Sequence, residues 1–220
     1  MKYYKALLFG SIGSIVETSE IQRKSFNKAF KQYGLDWNWT KREYLGLLSQ
    51  SGGKNRISRY AKKNKEIVNS TYLRNLKTKI FNNYLKKNQL KLRPGVKYLI
   101  SLCKKENIKI GFVSSTSANN INAILYCLRN SINHRDFNFI GNAKLIKKFK
   151  PNPDIYLLAL KKLKLKANDC LAIEDTQESL NSAKRAKIKC IIFPGKFHYS
   201  KKFIGAYKKV YILNKNIILR

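Results

Sequence analysis

Apolar positions along this chain follow two grammars, short unbroken runs and helical spacing. Ala6-Leu7-Leu8-Phe9 is an unbroken run that reads as a buried strand. It empties into Gly10, Ser11, Ile12, Gly13 and Ser14 before Thr18 and Ser19 offer N-caps to a helix. Over 20–33, Ile21, Phe26, Ala29, Phe30 and Tyr33 lie close to one face of a helix that ends at Gly34. Residues 35–40 form a connector, and Thr40 with Glu43 has the spacing of a capping box for the next helix. Gly52-Gly53-Lys54-Asn55-Arg56 is expected as a flexible turn carrying two cations, with helical periodicity again over 57–60 and 67–85. From Ser19 to Leu90 no convincing strand is found, so the stretch reads as an all-helical insert.

From Leu92 the pattern changes. Arg93-Pro94-Gly95 is a breaker, and helices at 96–105, 119–128, 154–163 and 179–186 then alternate with strands at 108–113, 137–140, 170–173 and 190–193, followed by an edge strand at 210–213. Alternation of this kind predicts an α/β fold, a Rossmann-like three-layer core with a parallel sheet, plus the inserted all-helical domain. The core takes 1–16 and 92–220 and the insert 17–91. Ligands of such sheets collect at the carboxyl ends of the strands. Three of those ends carry hydroxyls or carboxylates and are expected to converge: Ser11 with Ser14, Ser114 to Ser117, and Glu174 with Asp175.

The length of 220 residues suits one domain with a smaller insert. The run 6–9 is too short for a signal-peptide core and no run approaches a membrane span, so a soluble, cytoplasmic and monomeric protein is expected. Cys103, Cys127, Cys170 and Cys190 lack metal-type or redox-type spacing, which fits a reducing compartment. A formal charge of +34 predicts attraction to polyanions such as RNA or anionic lipid. Lys rather than Arg carries most of it, spread over nearly every polar helix face, and this reads as background composition rather than a dedicated nucleic-acid surface. Non-specific polyanion binding at low salt is expected all the same.

Strand, Gly/Ser loop and helix is a geometry in which loop amides and hydroxyls can face an anion. Lys150 supplies a compact cation suited to a phosphate, and Glu174 with Asp175 are hard oxygen ligands of the kind Mg²⁺ accepts. Each has an ordinary alternative: one more solvated Lys, a helix N-cap at Ser114 to Ser117, a surface carboxylate pair. Their place at successive strand ends argues for a site.

Six motifs carry a resemblance: Glu17-Thr18-Ser19-Glu20, Gly34-Leu35-Asp36-Trp37-Asn38-Trp39, Ser51-Gly52-Gly53-Lys54-Asn55-Arg56-Ile57, Arg93-Pro94-Gly95-Val96, Lys150-Pro151-Asn152-Pro153-Asp154-Ile155-Tyr156 and Ile173-Glu174-Asp175. Through them the chain resembles the haloacid dehalogenase superfamily, in the branch with a helical cap after the first strand. Within that branch it is similar to the CbbY-like and beta-phosphoglucomutase-like sugar-phosphate phosphatases. The resemblance implies that Gly13, Ser14, Ser114, Ser115 and Lys150 hold a phosphate, and that Asp175, Glu174 and the Ile12 carbonyl serve Mg²⁺. It further implies that Glu17, Gly52, Gly53, Lys54 and Arg56 meet the distal part of a sugar phosphate or bisphosphate from the cap side.

The opening motif departs from the family's Asp-x-Asp-Gly-Thr. Gly10 replaces the attacking carboxylate and Ile12 the acid/base, while Gly13 and Ser14 keep the turn. A glycine cannot form an aspartyl-phosphate, and loss of a nucleophile costs hydrolases on the order of 10⁶ in turnover. Ser11 and Ser14 have no evident base, and His134 and His198 lie far in sequence from the strand ends. Mg²⁺ is expected to be held weakly, and Lys150 is expected to pair with Asp175 in the unliganded protein. Glu178, Ser179 and Gln22 replace the family's usual Asn, Gly and His. Three readings result: a phosphate-site protein deficient in phosphoryl transfer, an Mg²⁺-dependent phosphatase with a different base such as Glu17, and a basic RNA- or lipid-binding protein.

Overall fold

The computed structural model describes residues 3–48, 52–88 and 90–219. Along these residues run β1 (Ala6–Phe9), α1 (Ile12–Ile15), α2 (Ser19–Tyr33), α3 (Lys41–Leu47), α4 (Gly53–Lys63), α5 (Ser70–Lys87), α6 (Val96–Lys105), β2 (Lys109–Val113), α7 (Ala118–Cys127), β3 (Phe139–Gly141), α8 (Asp154–Leu163), β4 (Cys170–Glu174), α9 (Gln177–Arg185), β5 (Lys189–Ile192) and β6 (Lys208–Lys209). Two compact units result, Met1–Glu17 with Gln89–Arg220, and Thr18–Asn88.

In the first unit the strands pair in parallel in the order β3-β2-β1-β4-β5-β6. Every residue of β1 and β4 is buried, as a parallel sheet covered on both faces requires. Side chains alternate between the faces. Ala6 and Leu8 of β1 and Cys170 and Ala172 of β4 pack with Tyr156 and Ala159 of α8 and Leu180 and Ala183 of α9. Phe9 stands level with Phe112 on one side and Ile173 on the other, so β1, β2 and β4 end side by side. The strand order reverses at β1, the position where α/β sheets open a crevice.

Two expected elements differ. The edge strand is Lys208–Lys209 rather than 210–213, paired with Ile191 and Ile192. An exposed edge tolerates lysines, and the apolar run after it lies beyond the paired segment. The expected turn at 52–56 is instead the start of α4: Gly52, at φ 92°, precedes the helix, and Lys54 and Arg56 lie in its first turns. Ser51 lies outside the described residues.

The second unit is helical among its described residues. The Thr40–Glu43 capping box forms as expected, and Asn27 accepts from the Trp39 amide at 2.9 Å and donates to its carbonyl at 3.0 Å, fixing the connector. Trp39 is fully buried among the rings of Phe26, Phe30, Tyr44 and Tyr60. Arg56, expected on a ligand, is buried in this core: its Nε donates to the Leu47 carbonyl at 2.9 Å and its guanidinium lies over the Phe26 and Tyr44 rings. Lys54 is exposed. No helix among the described residues is long and apolar enough to cross a membrane. Cys103, Cys170 and Cys190 are buried, and burial pushes the Cys103 and Cys170 thiols up to about 12.

Lys77 donates to Gln22 and lies over the rings of Phe26 and Phe81. Burial, with Arg56 and Arg74 adding like charge, brings its pKa down to about 7. Between that value and the ordinary one near 10.5 the unfolded chain holds a proton that the folded chain lacks, so this residue makes stability rise with pH above about 7. Replacing Lys77 with Met should flatten the rise. Melting temperatures of both proteins across that window check it, and parallel pH profiles would refute it.

Candidate functional site

The site is built from the loop after β1. Gly10 continues the sheet, its amide donating to the Ile173 carbonyl at 2.9 Å. Ser11 then begins α1: the Ser14 hydroxyl donates to the Ser11 carbonyl at 2.7 Å and accepts from the Ser11 amide at 3.4 Å. Ser14, expected on a phosphate, is buried and occupied in holding this turn. Gly13 backs onto Asp175 so closely that a Cβ there would stand 1.8 Å from its Oδ2. Asp175 Oδ1 accepts from the Ser11 hydroxyl at 2.8 Å.

The expected Lys150–Asp175 pair is not what forms. Lys150 donates to the Gly10 carbonyl and pairs with Glu174 Oε1 at 2.5 Å. The reason lies in the two-residue period of β4: Glu174 shares the face of Cys170 and Ala172, which packs on α8, and Lys150 lies just before that helix. Tyr156, on α8, donates its hydroxyl to the same Glu174 oxygen at 2.6 Å. Tyr156 and Glu174 are fully buried and Lys150 is 7% exposed. Burial pushes the Glu174 carboxyl up, Lys150 opposing it and Asp175 adding to it, and burial beside Glu174 pushes the Tyr156 hydroxyl well above its usual value. Glu174 Oε2 is buried without a hydrogen-bond partner.

Together these groups fill the volume that a side chain at position 10 needs. A Cβ on Gly10 would stand 2.0 Å from Glu174 Oε1 and 2.3 Å from the Tyr156 hydroxyl oxygen. Ser114, one residue beyond β2 and 4% exposed, accepts from the Thr116 amide at 3.2 Å, and Ser115 is half-buried. Ser117 caps α7, accepting from Asn120 at 3.3 Å.

Glu17, expected on the cap side, belongs to the first unit and accepts from the Lys196 amide at 2.8 Å. Three residues given no role from sequence lie at or near the first loop: Arg93, His198 and Tyr156. Arg93, noted only within a breaker, donates to the carbonyls of Gly13 (2.6 Å), Phe193 (2.7 Å) and Pro194 (2.6 Å), tying the loops after β1 and β5 together. His198 is buried, its amide bonded to Gly195, and burial lowers its pKa while Asp175 and Glu17 act in the opposite sense. Distance in sequence concealed it, because the link runs through the loop after β5. Tyr156 was visible in a motif but carried no sign of its partner.

Mg²⁺ is the cation that the resemblance implies, and the residues as arranged do not fit it. Glu174 Oε1 already holds an ammonium and a hydroxyl, the Ile12 carbonyl accepts the Val16 amide at 2.9 Å, and Asp175 Oδ1 holds Ser11. Among the described residues no three His, Cys, Asp or Glu side chains are grouped to hold a metal ion.

Residues 13–193 match the family model described as haloacid dehalogenase-like hydrolase. The chain belongs to that family. Protein CbbY of Cereibacter sphaeroides is 33% identical over 205 residues, 92% of this chain and 89% of that protein. A crystal structure of CbbY from Rhodobacter sphaeroides in complex with phosphate is 32% identical with a TM-score of 0.86, covering 94% of this chain and 93% of that one. A mutant of it in complex with xylulose-(1,5)bisphosphate is 31% identical, with the same TM-score of 0.86 and the same coverage, 94% and 93%.

Because position 10 has no room for a Cβ, Gly10→Ala should cost about 1–3 kcal/mol of stability. Adding Tyr156→Phe should recover part of that loss. Denaturant titration of the single and double variants measures both, and an unchanged midpoint for Gly10→Ala would contradict the packing.

Proposed function

We propose that this protein binds a small phosphorylated metabolite, a sugar phosphate or bisphosphate, at the carboxyl ends of β1, β2 and β4, and is deficient in transferring its phosphoryl group. The CbbY structures that hold phosphate and xylulose bisphosphate support the ligand class. The observation that carries the second half is the glycine at position 10, which offers no carboxylate to attack phosphorus. Lys150 neutralises the phosphate, and the Ser114 hydroxyl with the amides of the first loop completes its coordination.

The alternative of an active phosphatase with Glu17 as base has less support, because the Glu17 carboxylate is engaged by the Lys196 amide. A polyanion-binding role rests on the charge of +34 alone. For that reading the expected result is counterion release: RNA binding at low salt that falls steeply as salt approaches physiological strength.

The deciding assay combines binding and turnover. Calorimetry against a panel of sugar phosphates and bisphosphates should find a ligand, and Lys150→Gln should weaken it at least tenfold, the loss of about one charge-assisted contact. Phosphate release with the same panel should stay near background with or without Mg²⁺. Turnover at ordinary enzyme rates, abolished by Asp175→Asn, would overturn the proposal.

A further inference from the structure

Glu174 has no part in the proposed binding, yet it occupies its centre. Its Oε1 accepts both the Lys150 ammonium at 2.5 Å and the Tyr156 hydroxyl at 2.6 Å, and Glu174 and Tyr156 have no exposed surface. A carboxylate oxygen and a phosphate oxygen make the same demand on a lysine, a short charge-assisted N–H···O contact in a place that excludes water. Glycine at position 10 is what leaves room for this carboxylate, since a Cβ there would stand 2.0 Å from the oxygen that Lys150 holds.

Resting on the binding reading above, we propose that Glu174 is an internal stand-in for the ligand's anionic group. Its carboxylate holds the seat on Lys150 until a phosphate displaces it, and the exchange involves no divalent cation. Three features make the seat exchangeable. Glu174 Oε2 is buried with no partner, so the resting pair leaves one oxygen unsatisfied. The Tyr156 hydroxyl remains as a donor to Glu174 after Lys150 has turned to the phosphate. The Gly10 carbonyl, a second acceptor of the ammonium, lets Lys150 change partners without leaving the strand end.

The stand-in role reverses the effect expected of a metal ligand. If Glu174 held a cation for the phosphate, neutralising it would weaken phosphate binding. If it competes with the phosphate, neutralising it strengthens binding. The test titrates inorganic phosphate into the full chain by calorimetry, once with EDTA and once with excess Mg²⁺. The wild-type protein should show the same affinity under both conditions, Glu174→Gln should bind about tenfold more tightly, and Tyr156→Phe should bind more weakly. General damage to the site would weaken both variants, so the opposite signs are specific to the exchange. Circular dichroism and melting establish that each variant is folded. Should Glu174→Gln not fold, Glu174→Ala takes its place with the same expected sign, and a folded Glu174→Ala that binds phosphate no more tightly than the wild type overturns the stand-in. A folded Glu174→Gln that binds phosphate less tightly, or binding that requires Mg²⁺, overturns the stand-in while leaving the binding reading intact. No phosphate or sugar-phosphate binding in either condition would bring down both.

Discussion

One ammonium group dictates how the end of this sheet is arranged. Lys150 is almost wholly buried, and a buried charge left unpaired costs several kcal/mol, so a partner has to be supplied where the chain puts it. Glu174 supplies the carboxylate, the Gly10 carbonyl a second acceptor, and Tyr156 a hydrogen bond to the carboxylate from its other side. The pair adds little net stability, because desolvating both ions roughly cancels their attraction. What it fixes is identity: the last residue of β4, the first residue after β1 and the first turn of α8 are each constrained by the other two.

From that contact the rest of the site can be followed outward. Parallel pairing sets the loops after β2, β1 and β4 side by side, at the reversal of strand order where ligands of α/β sheets collect. A half-buried cation performs a different task. Arg93 spends its guanidinium on three backbone carbonyls from the loops after β1 and β5 and lies over the Phe193 ring, so its charge locks backbone in place. Lys150 can exchange its carboxylate partner, whereas Arg93 could let go only by releasing two loops. The division between a structural and an exchangeable cation follows from what each one touches.

Most of the sheet and the helical unit could be read from the sequence because they are governed by local rules. Unbroken apolar runs gave β1, β2, β4 and β5, and helical spacing gave α2, α6 and α8 within a residue or so. Glycine misled at 52–53, where a residue type common in turns instead opens a helix. The positions of Gly10, Ser114 and Glu174 at neighbouring strand ends, with Lys150 against Gly10, were legible, but the pairing was not. Glu174 and Asp175 are adjacent letters, and only the alternation of side chains across β4 decides which one meets Lys150. Nor does any local signal connect Tyr156 or His198 with the first loop. Those contacts depend on how α8 and the loop after β5 pack, which is a property of the whole sheet.

The packing around position 10 matters as much as the glycine itself. Removal of a carboxylate from a packed site ordinarily leaves a void and an unpaired cation, both destabilising. Neither is found here: the volume holds Glu174 and the Tyr156 hydroxyl, and the cation is paired. Glycine at position 10 and the packing around it are therefore mutually dependent, so that an aspartate there would have to displace the Glu174 carboxylate and the Tyr156 hydroxyl before it could approach a phosphate. Restoring the family's opening motif is thus a problem of repacking the Lys150–Glu174–Tyr156 cluster, and the chemistry of the first loop cannot be separated from the α8 face behind it.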